Sequence, residues 1–382
     1  MRSITIVLTI FKFLTGVITF YSAMILKARG FGGIEIGILL FIYSFIPLII
    51  SFPCGILNDR LKSKTLLFIG FIGLSIHLFG FSQISEFSRL FILFLIGGAS
   101  CNLVNVSLQS LALKIVGRDG RGKKLGLYTA GSSVGFGLGM LFGGLMMNYV
   151  RTEYLLIING TGYLFLAVFS LFLQNNATVK LDIMKYFYEF KNRDVLMFCL
   201  VFSLFAFHWG SEMSSYSLFL KEYFKLTLLQ IGFYMCFPLI LLGISAYYTG
   251  RLIDKNIDVL IKLTYIACIV SGMGQVLTLI PNIYISFCMR LFHEVGDGIA
   301  ALLLLEGMAT RFNVKNIGGL SSLIAVSTIL ASSIGSLIFS YIGATFGYHI
   351  SMLLGGISML APITVFYYYL NHSNKREESP TF

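Results

Sequence analysis

Gly55-Ile56-Leu57-Asn58-Asp59-Arg60, followed by Lys62 and Lys64, recurs in altered form as Gly250-Arg251-Leu252-Ile253-Asp254-Lys255. Each copy sits where a long apolar stretch meets a charged loop. Each is preceded eighteen positions earlier by an Ile-Gly pair, Ile36-Gly37 and Ile231-Gly232. Three landmarks thus share an offset of 195 residues. A duplication of that length inside an apolar chain predicts two similar halves facing each other, an architecture of secondary transporters.

The composition supports a membrane setting. Hydrophobic residues make up 57% of the 382, and charged residues only 12%, where soluble domains carry roughly 25% charged residues. A water-soluble fold cannot hide so much apolar surface, but a bilayer accepts it at about 20 residues per helix. The length then accommodates about twelve spans, near 4–26, 32–54, 65–84, 89–112, 124–148, 154–174, 195–219, 227–250, 259–279, 282–308, 317–340 and 346–370. The expected fold is an all-α membrane protein with two pseudo-symmetric six-helix bundles, 1–174 and 195–370. A linker at 175–194 is expected as an amphipathic stretch on the cytoplasmic membrane face, with a polar, disordered cytoplasmic tail at 371–382.

The net charge of +11 reports topology. With the N-terminus placed inside, 20 of the 28 basic residues fall on the cytoplasmic side and 6 on the other; Lys12 and Arg290 lie within spans. That bias is the positive-inside rule and puts both termini in the cytoplasm. It gives no reason to expect nucleic acid. The six cysteines lie in or beside apolar segments without close pairs, as core residues rather than a disulfide or metal framework. No metal or cofactor site is expected. The absence of a phosphate-binding Gly-x-x-x-x-Gly-Lys-Ser/Thr run argues against ATP as the driver. No catalytic constellation is present, so no enzymatic activity is expected.

Gly55-x-Leu57-x-Asp59-Arg60-x-Lys62-x-Lys64 resembles the signature of the major facilitator superfamily, Gly-x-Leu-x-Asp-Arg-x-Gly-Arg-Arg/Lys, with Lys62 in place of a glycine. The loop Gly120-Arg121-Gly122-Lys123-Lys124-Leu125-Gly126 is also similar to that family. Gly135-x-x-x-Gly139-Met140-x-x-Gly143-Gly144 resembles its antiporter signature, with Met140 where that signature has proline. The resemblance covers essentially the whole chain. It implies a gate at Gly55, Asp59 and Arg60 and again at Gly250, Asp254 and Lys255, the aspartate lying against a helix N-terminus of the other half. A plain topogenic loop is the alternative. Charges at these span ends are expected to remain hydrated. Gly131, Gly135, Gly139 and Gly143 recur every four residues, so they share one helix face and allow close packing. That face is expected to bend or slide during a transport cycle.

Ionisable groups at membrane depth are costly and mark a pathway. Span 10 carries Arg290, His293, Glu294 and Asp297; span 7 carries His208, Trp209 and Glu212; span 1 carries Lys12; span 4 carries Asn102, Asn105 and Gln109. The resemblance implies that spans 1, 4, 7 and 10 line a central cavity. Glu294 and Asp297 are the expected proton carriers, with Arg290 and His293 as modulators and Glu212 as a further candidate. Lys12, Asn102, Asn105, His208 and Trp209 are the expected substrate contacts, Trp209 stacking on a ring. Lys12 and Arg290 suit a carboxylate or phosphate. A structural ion pair between Arg290 and Glu294 or Asp297 remains the alternative, and Glu306 is expected to pair with a loop base.

These residues point to a monomeric secondary transporter in a plasma membrane, that of a bacterial cell by expectation. It would move a small polar solute by alternating access with proton symport. Two alternatives stand: proton-antiport efflux of amphipathic compounds, and a non-transporting sensor or assembly factor of the same fold.

Overall fold

The computed structural model describes residues 1–19, 21–147, 149–174 and 183–373. Secondary structure there is helical: α1 (Arg2–Thr19), α2 (Ser22–Ala28), α3 (Gly33–Arg60), α4 (Ser63–Gln83), α5 (Phe87–Ile115), α6 (Arg121–Met146), α7 (Thr152–Ser170), α8 (Ile183–Phe190), α9 (Arg193–Ser211), α10 (Ser217–Glu222), α11 (Leu228–Lys255), α12 (Val259–Leu277), α13 (Ile283–Arg311), α14 (Ile317–Phe346), α15 (Tyr348–Ser358) and α16 (Leu360–Ser373). Helices are the economical choice in hydrocarbon, because each satisfies its backbone polar groups within itself. Among the described residues, eleven helical stretches are long and apolar enough to cross a membrane. α13 is equally long, at 29 residues, but too charged for that group, because it carries Arg290, Glu294, Asp297 and Glu306. With it the expected count of about twelve is met.

Local chemistry sets the ends. Asn282 starts α13 by accepting from the amides of Tyr284 (3.0 Å) and Ile285 (3.2 Å). Thr227 and Gln230 form a reciprocal cap on α11. Gly347, at φ +100°, makes the tight turn between α14 and α15 that a side chain would strain. α16 runs through Ser373, so the first three residues of the expected tail are helical; residues 374–382 of that tail lie outside the described residues. So do 175–182 of the expected linker. The remainder of the linker contains α8, which exposes Met184, Phe187 and Tyr188 and buries Tyr186.

The chain divides into two compact units. One comprises Met1–Val116, Gly131–Leu181 and Asn313–Leu323. Within it, α5 packs on α3 and α4, α4 on α7, and α1 on α7. The other comprises Gly117–Ala130, Asp182–Phe312 and Ile324–Phe382. There α13 packs on α11 and α12, and α12 on α15. The pairs α3·α5 and α4·α5 correspond to α11·α13 and α12·α13, which is the duplication expressed as packing.

In the first unit the glycine stripe has a clear purpose. A Cβ on Gly135, Gly139 or Gly143 would fall on the carbonyl oxygen of Thr9, Phe13 or Val17 respectively. The backbones of α6 and α1 therefore touch, which only glycine permits.

Candidate functional site

The densest buried charge lies in the second unit, where the end of α9, the turn after it, α12 and α13 meet. Residues Glu212–Tyr216 form one π-helical turn between α9 and α10, an irregularity frequent at functional sites. Glu212 opens that turn. Its carboxylate meets the Arg290 guanidinium and lies 2.8 Å from His293 Nε2. Arg290 also reaches Glu294 at 2.5 Å, one helical turn along α13, and its guanidinium lies 4.6 Å from the centre of the Tyr216 ring. Arg290 is thus shared between two carboxylates.

Asp297 is held differently. Its Oδ1 accepts from the Ser271 hydroxyl at 2.7 Å and its Oδ2 from the Trp209 indole N–H at 2.7 Å. His208 Nε2 and His293 Nε2 stand 3.6 and 3.7 Å from Oδ1. Both imidazoles have their other nitrogen committed to a backbone carbonyl: His293 Nδ1 to Ser271 at 2.7 Å, His208 Nδ1 to Phe205 at 2.5 Å. A carbonyl only accepts, so each Nδ1 carries its hydrogen and each Nε2 faces the carboxylates. His208, His293, Glu294 and Asp297 are buried.

The contact between α12 and α13 depends on two glycines. A Cβ on Gly274 would lie 2.6 Å from His293 Cα, and one on Gly296 would lie 2.5 Å from Ser271 N. Ser271 is the participant that sequence reasoning missed. Its signal was faint, a small polar residue in the run Ser271-Gly272-Met273-Gly274-Gln275, where glycines announce close helix approach.

His208, Glu212 and His293 place their donor atoms within 4.8 Å of one another, close enough to surround a small cation. The Arg290 guanidinium already holds Glu212 and supplies positive charge there. As built, the cluster is an ion-pair network.

The expected substrate contacts separate by unit. His208 and Trp209 belong to the cluster just described, and the polar edge of Trp209 is engaged by Asp297. Lys12 and Asn105 meet in the first unit, where Lys12 Nζ donates to Asn105 Oδ1 at 2.8 Å. Among the described residues no carboxylate pairs with Lys12, whereas Arg290, Lys114, Arg121 and Arg311 all have one. Asn102 accepts from Ser51 at 3.0 Å.

The two signature aspartates make matching contacts. Asp59 accepts from the amides of Gly318 (3.0 Å) and Gly319 (2.8 Å) at the start of α14. Asp254 accepts from those of Gly122 and Lys123, both at 2.8 Å, at the start of α6. Each carboxylate thereby caps a helix N-terminus, where peptide dipoles favour negative charge. A Cβ on Gly55 or Gly250 would collide with the carbonyl of Gly318 or Gly122, respectively. One expectation is corrected here. Asp59 is not hydrated: it is fully buried and pairs with Lys114 at 2.9 Å, because α5 brings that lysine under the loop. Asp254, Arg60 and Lys255 are exposed. Glu306 bonds Arg121 at 2.7 Å.

A family model described as Major Facilitator Superfamily matches residues 4–304. The Quinolone resistance protein NorA of Staphylococcus aureus (strain Mu50 / ATCC 700699) is 33% identical over 121 residues, 32% of this chain. The match spans 31% of that relative's length. Among solved structures, the human organic anion transporter MFSD10 (TETRAN) superposes with a TM-score of 0.82 at 14% identity, covering 96% of this chain and 98% of that one. A variant of the E. coli Fucose:proton symporter, FucP, superposes with a TM-score of 0.76 at 11% identity, covering 96% of this chain and 97% of that one. Both likenesses speak to the fold.

Proposed function

This chain is a membrane transporter belonging to the Major Facilitator Superfamily, and we propose that it carries a small polar solute by alternating access with proton symport. The observation that carries the coupling is a charge count. Glu212, Glu294 and Asp297 can supply three negative charges, and Arg290 supplies one fixed positive charge among the same buried side chains. An uncompensated buried charge costs several kcal/mol, so protons must make up the difference. His208 and His293, with each Nε2 aimed at a carboxylate, and Glu294 are where they reside. Glu294 is the exchangeable position, because its ion partner Arg290 is shared. A proton on Glu294 releases it from Arg290, which stays with Glu212. Asp297, backed by Ser271 and Trp209, is the second carrier. The gates are Asp59 and Asp254 on their helix caps; each charge–dipole contact is worth only about 0.3–1 kcal/mol, and at Asp59 the carboxylate keeps its Lys114 partner when the cap releases. The glycine face of α6 supplies a surface for movement. The reading includes no enzymatic step. It places a monomer in a bacterial plasma membrane with both termini in the cytoplasm, where the basic loops put them.

A second reading, proton-antiport export of amphipathic compounds, draws on the similarity to the Quinolone resistance protein over 121 residues and on the Gly135-to-Gly144 run. One experiment addresses both. Purified protein in liposomes is given an acid exterior, and a panel of solutes is assayed. Symport predicts accumulation inside, lost in Glu294→Gln and Asp297→Asn. Accumulation driven only by an acid interior favours export. Gradient-driven transport that persists unchanged in both variants refutes the assigned carriers.

A further inference from the structure

We propose that the first unit contains a binding site for an organic monoanion, its ring in a partly open cavity and its charged group on Lys12. The proposal rests on the transporter reading and gives it a substrate class. The cavity measures about 220 Å³ and is bordered by Thr15, Tyr43, His77, Phe94 and Tyr163 among others. A cavity of about 150 Å³ already admits benzene, so a substituted six-membered ring fits. Its wall is aromatic: Tyr43, His77 and Phe94 lie 5.0 to 6.2 Å apart, centroid to centroid.

Lys12 adjoins this space in two ways. Thr15, one turn along α1, borders the cavity and lies 3.1 Å from the Tyr163 hydroxyl. Asn105, which accepts from Lys12, also donates to the Cys101 thiol at 3.5 Å, and Tyr43 of the cavity wall neighbours the same thiol. Asn105 and Cys101 thus lie between the ammonium and the aromatic wall.

The chemistry of the ligand follows. Aromatic faces carry negative potential and repel an anionic group laid on them, so the ligand's charge belongs outside the ring space. Among the described residues Lys12 offers a cation whose hydrogen-bond partner is the neutral Asn105. An ammonium at membrane depth is costly unless paired, so a carboxylate or similar monoanion gains there what none of the described groups supplies. A cationic ligand would enjoy the aromatic wall but meet the lysine's repulsion.

The test measures alkylation of Cys101 by iodoacetamide, read by mass spectrometry of its peptide, with the full chain in nanodiscs. The probes are benzoate, benzamide, benzylamine and acetate. Benzoate should slow the reaction at concentrations about tenfold lower than the other three require, the worth of one charge-assisted contact. Lys12→Gln should bring benzoate level with benzamide, and Lys12→Arg should restore the preference. Equal protection by benzamide or benzylamine in the natural chain overturns the charge assignment, and equal protection by acetate overturns the ring site. An unchanged preference in Lys12→Gln overturns the role of Lys12. No pH gradient is involved, so failure here leaves the coupling reading standing, and failure of coupling leaves this site standing.

Discussion

Asp59→Asn should destabilise the protein far more than Asp254→Asn, although both aspartates cap a helix with two backbone amides. The difference comes from Lys114. Its ammonium is 2% exposed and 2.9 Å from an Asp59 carboxylate that is wholly buried. Neutralising Asp59 leaves that ammonium buried without a counter-charge, which costs about 3–5 kcal/mol. Asp254 is exposed and has no ion pair of this kind among the described residues. Its asparagine variant loses one cap acceptor and the charge–dipole attraction, about 1 kcal/mol. A gap of about 2–4 kcal/mol is therefore expected in unfolding free energy, read by titrating SDS into dodecylmaltoside micelles. Lys114→Met added to Asp59→Asn should recover most of the loss, because it removes the stranded charge. Such coupling is what a double-mutant cycle measures. Equal losses for the two single variants, or no recovery in the double, would refute the argument that the buried lysine creates the asymmetry.

Gly139→Ala drives a methyl into the Phe13 carbonyl and should cost about 1–3 kcal/mol. Gly37→Ala, inside α3 with nothing within 4 Å of the new Cβ, should instead raise stability by about 0.5–1 kcal/mol in the same titration. Trp209 is the one tryptophan of the chain, so its emission reports the bond to Asp297. Asp297→Asn should shift the emission maximum, and Glu306→Gln, whose carboxylate engages Arg121 instead, should leave it in place.

Much of this was readable beforehand because membranes impose strong rules. Apolar length, loop charge and the 195-residue offset are one-dimensional quantities, and together they implied two similar bundles. An offset within one residue of it extends to the contacts: Gly122 and Gly318, the partners of Asp254 and Asp59, are themselves 196 positions apart. The burial of Asp59 was not readable. Lys114 lies more than fifty residues downstream, and only the packing of α3 on α5 brings it beneath the loop. Ser271 was hidden for a similar reason, being one small hydroxyl in a span rich in small residues.

The partners within the cluster show where spacing stops informing. Arg290, Glu294 and Asp297 share a helix face, and spacing alone allowed either carboxylate to take the arginine. The π turn decides the matter: it presents Glu212 to Arg290 from a neighbouring helix, while Ser271 and Trp209 hold Asp297. Arg290 and Lys12 stand in opposite settings, although the first unit also pairs a buried lysine, Lys114, with Asp59. The second unit keeps its acids beside its own arginine and imidazoles, and on the proposed reading its charge state changes by gaining or losing protons. Among the described residues no acid pairs with Lys12; on the proposal above, an arriving anion supplies the counter-charge there, the other route to neutrality being loss of the ammonium's own proton. A device that couples one flow to another needs both kinds of site. On these two proposals the coupling variants belong on α13 and the substrate variants on α1, and the separate failure of either set tells which proposal is wrong.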